Sequence, residues 1–141
     1  MAMRSHTLRP QITIAHSEHA QLFALAAAGM AADSYPAAEE LLAEIERAHL
    51  VADDKLAIDL VRMGAGIQYR SDRDDLVDVT LVFPDHADIS RGRVSVLTPV
   101  GTALIGLRTG QSITWWCREG TRQSLTVLRV SQPRTGEWRP T

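Results

Sequence analysis

The chain has a single cysteine, Cys117, among 141 residues, so no disulfide forms within it, and no group of cysteine and histidine has the spacing of a zinc site. Aromatic residues are scarce: three tryptophans, two tyrosines and two phenylalanines make up 5% of the sequence. Lysine is nearly missing, since Lys55 stands alone and every other basic side chain is arginine. The longest mostly apolar stretch, residues 22–32, falls far short of the ~20 residues that cross a bilayer. The start, Met1-Ala2-Met3-Arg4-Ser5-His6, has no apolar core of the signal-peptide kind. These absences predict a reduced, cytoplasmic protein. A chain near ~150 residues buries enough surface to fold without staples, as one domain or one domain with a small appendage.

What is present is unevenly distributed. The formal net charge is −2, but residues 1–60 carry four basic and nine acidic side chains, whereas residues 61–141 carry 11 arginines and eight acids. Fifteen of the 18 alanines lie before residue 61, and β-branched residues crowd the remainder. Alanine costs least in a helix and β-branched residues suit a pleated surface, so helices come first and a sheet follows.

Residues 11–14 read as a short extended segment, with Ser17 as an N-cap and a helix over 18–28 whose apolar positions are Leu22, Leu25, Ala26 and Gly29, the last also a stop signal. After the turn at residues 30–35, Pro36 suits a first helical position. A second helix over 36–49 places Leu41, Leu42, Ile45, Ala48 and His49 on one side and Glu39, Glu40, Glu44, Glu46 and Arg47 mostly on the other. The pair forms an αα-hairpin. Residues 51–59 have no period and read as a linker.

Beyond it, residues 67–70 and 77–83 alternate as strands around the polar loop 71–75, and Pro84 ends the second. Residues 94–97 form a third strand, followed by Thr98 and Pro99 as cap and first-turn proline of a brief helix through Ile105, with Gly106 and Gly110 at its exit. Residues 112–117 and 123–130 read as a closing hairpin, and 131–141 as a frayed tail.

No dinucleotide, P-loop, zincin, nucleophile-elbow or EF-hand pattern occurs. His16 and His19 lack a third ligand and read as an exposed pair, and Cys117 reads as a small core side chain. Asp72, Asp74, Asp75 and Asp78 are interleaved with Arg70 and Arg73 and have no sharp-turn glycine, which fits a solvated loop rather than a calcium site. No catalytic residue, cofactor or metal is expected.

The run Val94-Ser95-Val96-Leu97-Thr98-Pro99-Val100-Gly101-Thr102-Ala103-Leu104-Ile105-Gly106-Leu107-Arg108-Thr109-Gly110-Gln111 resembles the I-S-V-x-S-P-x-x-x-A-L-x-G-x-x-x-G-D signature of the C-terminal domain of Gre transcript-cleavage factors. The resemblance covers roughly residues 61–130. It implies an α+β chain: a short N-terminal antiparallel helical hairpin, a truncated coiled coil with an acidic face and linker over 1–60, then an FKBP-like antiparallel β domain with a short helix over 61–141. Gre factors insert a long coiled coil into the secondary channel of bacterial RNA polymerase. Helices of about 11 and 14 residues would here span only roughly 16–21 Å. That shortness, the Ser34-Tyr35-Pro36 turn and the Thr-Leu-Val-Phe-Pro run at 80–84 resemble the Rnk branch, the Gre-related regulators of nucleoside diphosphate kinase.

In cleavage factors, two acidic residues at the tip help hold a second Mg²⁺ in the polymerase. The tip expected here, Asp33, Ser34 and Tyr35, offers one carboxylate, with Glu39 and Glu40 up to a full turn inside the second helix. The resemblance thus implies polymerase docking through Leu97, Thr98 and Pro99 without cleavage chemistry, and competition with longer channel factors. At these positions Thr98 replaces the usual Ser, and Leu97 stands where some members have an acid. Helix capping alone also accounts for Thr98. The partner implied is RNA polymerase, with nucleic acid contacted only through it and no membrane or small-molecule substrate. The alternatives are an FKBP-like peptidyl-prolyl isomerase, which the sparse, separated aromatics do not favour, and a direct nucleic-acid-binding module using the arginine-rich second half.

Overall fold

The computed structural model of the chain describes residues 10–32, 37–116 and 120–132. It is an α+β fold with a curled mixed sheet. Strand β1 (Thr13–Ala15) runs directly into helix α1 (His16–Ala32), and helix α2 (Ala38–Arg47) leads into β2 (His49–Val51). Strands β1 and β2 pair in parallel, Thr13 opposite His49, so the start of α1 lies beside the end of α2 and the helical hairpin is fastened at its base. The second half supplies β3 (Gly66–Ser71), β4 (Leu76–Val82), β5 (Arg93–Ser95), the short helix α3 (Pro99–Leu104), β6 (Ser112–Trp116) and β7 (Arg122–Ser131). The sheet order is β5-β4-β3-β7-β6.

The sheet is not wholly antiparallel, which corrects the sequence expectation. Strand β5 lies parallel to β4, with Thr80 opposite Arg93 and Val82 opposite Ser95. Two 3-10 turns, Pro84–His86 and Ile89–Arg91, carry the chain back alongside β4 instead of turning it in a hairpin. The other pairings are antiparallel, and the β3–β7 register shifts between Gln68 and Tyr69.

Helix α1 extends past both expected ends. Gly29 does not stop it but is buried inside it. A mid-helix glycine costs about 1 kcal/mol relative to alanine, and the flanking alanines and burial offset that. Seventeen residues give α1 a length of about 25 Å, longer than the sequence suggested. Helix α2 is shorter than expected at 10 residues, with His49 exposed in β2 instead of on the apolar face. Pro36 and Cys117 lie outside the described residues. So does most of the tail, residues 133–141, although Ser131 closes β7 and Gln132 donates to the carbonyls of Ile58 and Leu60 at 3.0 and 2.6 Å.

One hydrophobic core draws on both halves: Ile12, Ile14, Leu22, Leu41 and Ile45 meet Ile67, Leu81, Leu104, Leu107, Ile113 and Val127. Glu44, expected on the polar side of α2, is buried, and Arg47 one turn on holds it through Nε and Nη2 at 2.9 and 2.7 Å. The orientation of α1 sets a direct contrast. Leu22 is fully buried whereas its neighbour Phe23 is 47% exposed against His19. Leu22→Ala is expected to lower unfolding free energy by about 3 kcal/mol in a urea titration, and Phe23→Ala by less than about 1 kcal/mol.

Candidate docking surface

The segment from Ser95 to Leu104 is built by short-range hydrogen bonding. Ser95 Oγ accepts from the Leu97 N–H at 3.0 Å, which turns the chain off β5. Thr98, extended at φ −122°, caps α3: its Oγ1 accepts from the Gly101 N–H at 3.1 Å and donates to the Ser95 carbonyl at 2.7 Å. Thr102 Oγ1 donates to the Val96 carbonyl at 2.8 Å. The helix is pressed so closely onto the strand end that a Cβ at Gly101 would lie 2.1 Å from the Ser95 carbonyl oxygen, closer than atoms can approach. Gly101 is therefore fixed by packing.

The three residues expected to dock divide sharply. Pro99 is exposed and Thr98 partly so, but Leu97 is 4% exposed and packs in the core. Its side chain is a structural anchor for the turn, and the presented surface is Thr98 and Pro99. The parallel β4–β5 pairing, extended by the Val96 N–H to Val82 carbonyl bond of 2.9 Å, brings Pro84–His86 alongside this turn. Asp33, Ser34 and Tyr35 lie outside the described residues.

A second constellation, which sequence reading missed, joins the base of the hairpin to the sheet half. Ser17 is not an N-cap but lies in the first turn of α1. Its N–H and Oγ donate to the two carboxylate oxygens of Asp53 at 3.0 and 2.5 Å, so a residue 36 positions away satisfies the helix end. Arg62 bridges Asp53 Oδ2 at 3.6 Å and Glu18 Oε2 at 3.4 Å, and Glu18 also accepts from the Met63 N–H. The Ser17 hydrogen bonds hold the Asp53 carboxyl below its ordinary pKa. Burial lifts that of Glu18, against the opposing pull of Arg62 and the Met63 N–H. The expected linker is thus pinned to the fold, further secured by Arg108 Nε on Asp59 at 3.0 Å. Among the described residues no group of three or more His, Cys, Asp or Glu side chains is placed to hold a metal ion, and no helix is long and apolar enough to cross a membrane.

Residues 55–132 match the family described as transcription elongation factor GreA/GreB, C-terminal, and residues 10–51 match the Rnk N-terminus. The chain belongs to the GreA/GreB family and is a transcription-elongation-factor-like regulator. Within that family it is similar to the regulator of nucleoside diphosphate kinase of Escherichia coli (strain K12), with 38% identity over 96 residues that cover 67% of this chain and 71% of that protein. The transcription elongation factor GreA of Thermodesulfovibrio yellowstonii is 35% identical over 77 residues, 54% of this chain and 49% of that one. Among solved structures, the prokaryotic transcription elongation factor GreA/GreB from Nitrosomonas europaea superposes with a TM-score of 0.67 at 29% identity, covering 87% of this chain and 99% of that one.

Two outcomes follow from this geometry. Thr98→Ala is expected to cost about 1 kcal/mol in denaturant unfolding, and Thr98→Ser, which keeps both hydrogen bonds, to recover most of it. Because Asp53 has a depressed folded-state pKa, its contribution is present above the unfolded carboxylate range and is lost as pH falls through the folded value. Asp53→Asn is therefore expected to be less stable than the parent at pH 7, with the difference shrinking as pH falls below the ordinary carboxylate range, in urea midpoints measured across that titration.

Proposed function

We propose that this chain is a non-enzymatic transcription regulator that binds bacterial RNA polymerase near the secondary channel, competes there with Gre-type factors and does not stimulate transcript cleavage. The single observation that carries the reading is the joining of a GreA/GreB C-terminal part to an Rnk N-terminus on a short helical hairpin. On this reading residues 61–141 form the docking unit, FKBP-like in type, and residues 1–60 form the hairpin unit placed at the channel entrance. The rigid turn at Thr98 and Pro99 makes the contact, and the protein works in the cytoplasm.

The supporting physics is charge and the number of carboxylates. Helix α2 has Glu39, Glu40 and Glu46 at exposed positions, so the hairpin favours a basic surface and disfavours nucleic acid, with an attraction that salt weakens. The sequence places a single carboxylate, Asp33, in the turn between the helices, where holding a second Mg²⁺ calls for more carboxylate oxygens. The isomerase alternative gains nothing from the structure: the polar groove on the sheet has no aromatic side chain in its lining.

The test is retention of core RNA polymerase on the immobilised protein. Pro99→Arg, which alters an exposed side chain and leaves the Thr98 cap intact, is expected to reduce retention at least about tenfold. Undiminished retention would overturn the docking assignment, and trimming of backtracked RNA by the purified protein would overturn the assignment as a non-cleaving factor.

A further inference from the structure

The sheet face turned away from the core carries a groove of about 320 Å³ that the docking reading does not use. Its floor is Gly66, which has no side chain to fill it. Two rows of outward residues cross it by strand register. One runs Thr80, Gly66, Ser131, and the other Asp78, Gln68, Arg129, with Arg91 and Gly92 at the near edge and Arg93, opposite Thr80 on β5, just beyond the lining. Neighbouring strands are ~4.8 Å apart, so arginines stand on either side of the polar floor, three strand spacings or roughly 14 Å across. Arg91 reaches Asp88 only at 3.7 Å, and Arg93 and Arg129 have no ion pair among the described residues.

We infer that this groove binds the ribose-phosphate backbone of single-stranded RNA. The flanking guanidinium groups match phosphates, and charge complementarity sets the sign of the ligand. Asp78, Gln68, Thr80 and Ser131 give the floor acceptors and donors that ribose hydroxyls, which distinguish RNA from DNA, can use. An acidic protein segment is the poorer occupant, because the outward side chains in both rows include no apolar anchor of the kind that carries protein interfaces. With no aromatic platform in the groove, recognition is independent of base sequence. This inference stands apart from polymerase docking.

Fluorescence anisotropy of a labelled RNA of about 12 nucleotides, titrated with the full chain without polymerase, tests it. Saturable binding is expected at about 25 mM salt, weakening with a log–log salt slope of about −1.5 to −2, as two to three phosphate contacts give in single strands. Arg129→Gln is expected to weaken binding about tenfold and flatten that slope. Gly66→Val fills the floor without changing charge. Its Cβ would meet Ser131 only at 3.8 Å, an ordinary contact, so the fold persists while binding falls about tenfold. Arg73→Gln, in the exposed loop outside the groove, is expected to bind as the parent does. Absence of binding, parent-like binding by Gly66→Val, equal damage from Arg73→Gln, or DNA of the same sequence binding within about twofold would each overturn the assignment.

Discussion

The arrangement of the two halves depends on how closely β1 passes the turn after α3. The Thr13 N–H donates to the Gly106 carbonyl at 3.2 Å, while on the other side the His49 N–H donates to the Ile12 carbonyl at 2.9 Å. Gly106 has φ +82°, and a Cβ there would lie 2.8 Å from Ile12 Cβ and 2.9 Å from the Thr13 carbonyl oxygen. Only glycine meets both demands, the left-handed backbone and the close approach. The three residues of β1 are thus the seam between helices and sheet, and Ile12 and Ile14 drive it into the common core. The Asp53, Arg62 and Glu18 network adds a polar clasp at the same end. Its geometry fixes orientation more than it adds stability, because Asp53 is substantially exposed and ion pairs of this length at a surface contribute little.

The parts of the fold readable in the sequence were those governed by local chemistry. The strands around the 71–75 loop, the closing hairpin and the Thr98-Pro99 cap all follow from alternation, turn residues and side-chain capping that operate over a few positions, and the structure reproduces them. What failed depended on distant partners. Ser17 has the composition of an N-cap, but it lies inside the helix because Asp53 supplies the acceptor from 36 residues away. Gly29 looks like a stop but is accommodated because it is buried. The direction of β5 is set by what two 3-10 turns do to the chain path, which no periodicity records. Glu44 reads as solvent-facing from its charge, and its burial depends on Arg47 folding back over it. The segment 51–59 lacks a period because its order comes from being clamped by Ser17, Arg62, Arg108 and Gln132, each from another part of the fold.

The charge asymmetry acquires a spatial meaning once the strands are paired. Along the sequence the second half looks only mildly basic, since arginines and acids alternate. Pairing sorts them. Asp72, Asp74 and Asp75 gather at the exposed loop between β3 and β4, where Asp74 also pairs with Arg70 at 3.4 Å. Arg91 and Arg93 from one stretch and Arg129 from another come onto one side of the sheet, with Asp78 the acid among them. An acidic hairpin and a basic sheet face thus present opposite fields, and a single net charge of −2 describes neither.

The burial of Leu97 bears on how the proposed docking turn recognises a partner. Where some Gre-family members have an acid at this position, an apolar side chain is committed to the core here, so specificity on the proposed reading cannot come from a charge projected at residue 97. It must come from shape. The turn is held by bonds among Ser95, Leu97, Thr98, Gly101 and Thr102, and the glycine contact leaves α3 no room to shift toward the strand. A surface ordered in this way loses little conformational entropy on association, which favours binding through a small exposed patch such as Thr98 and Pro99. On the proposed reading, that same rigidity makes the patch intolerant of altered outline, so a bulky side chain at Pro99 would act by misfit without needing to disturb the fold.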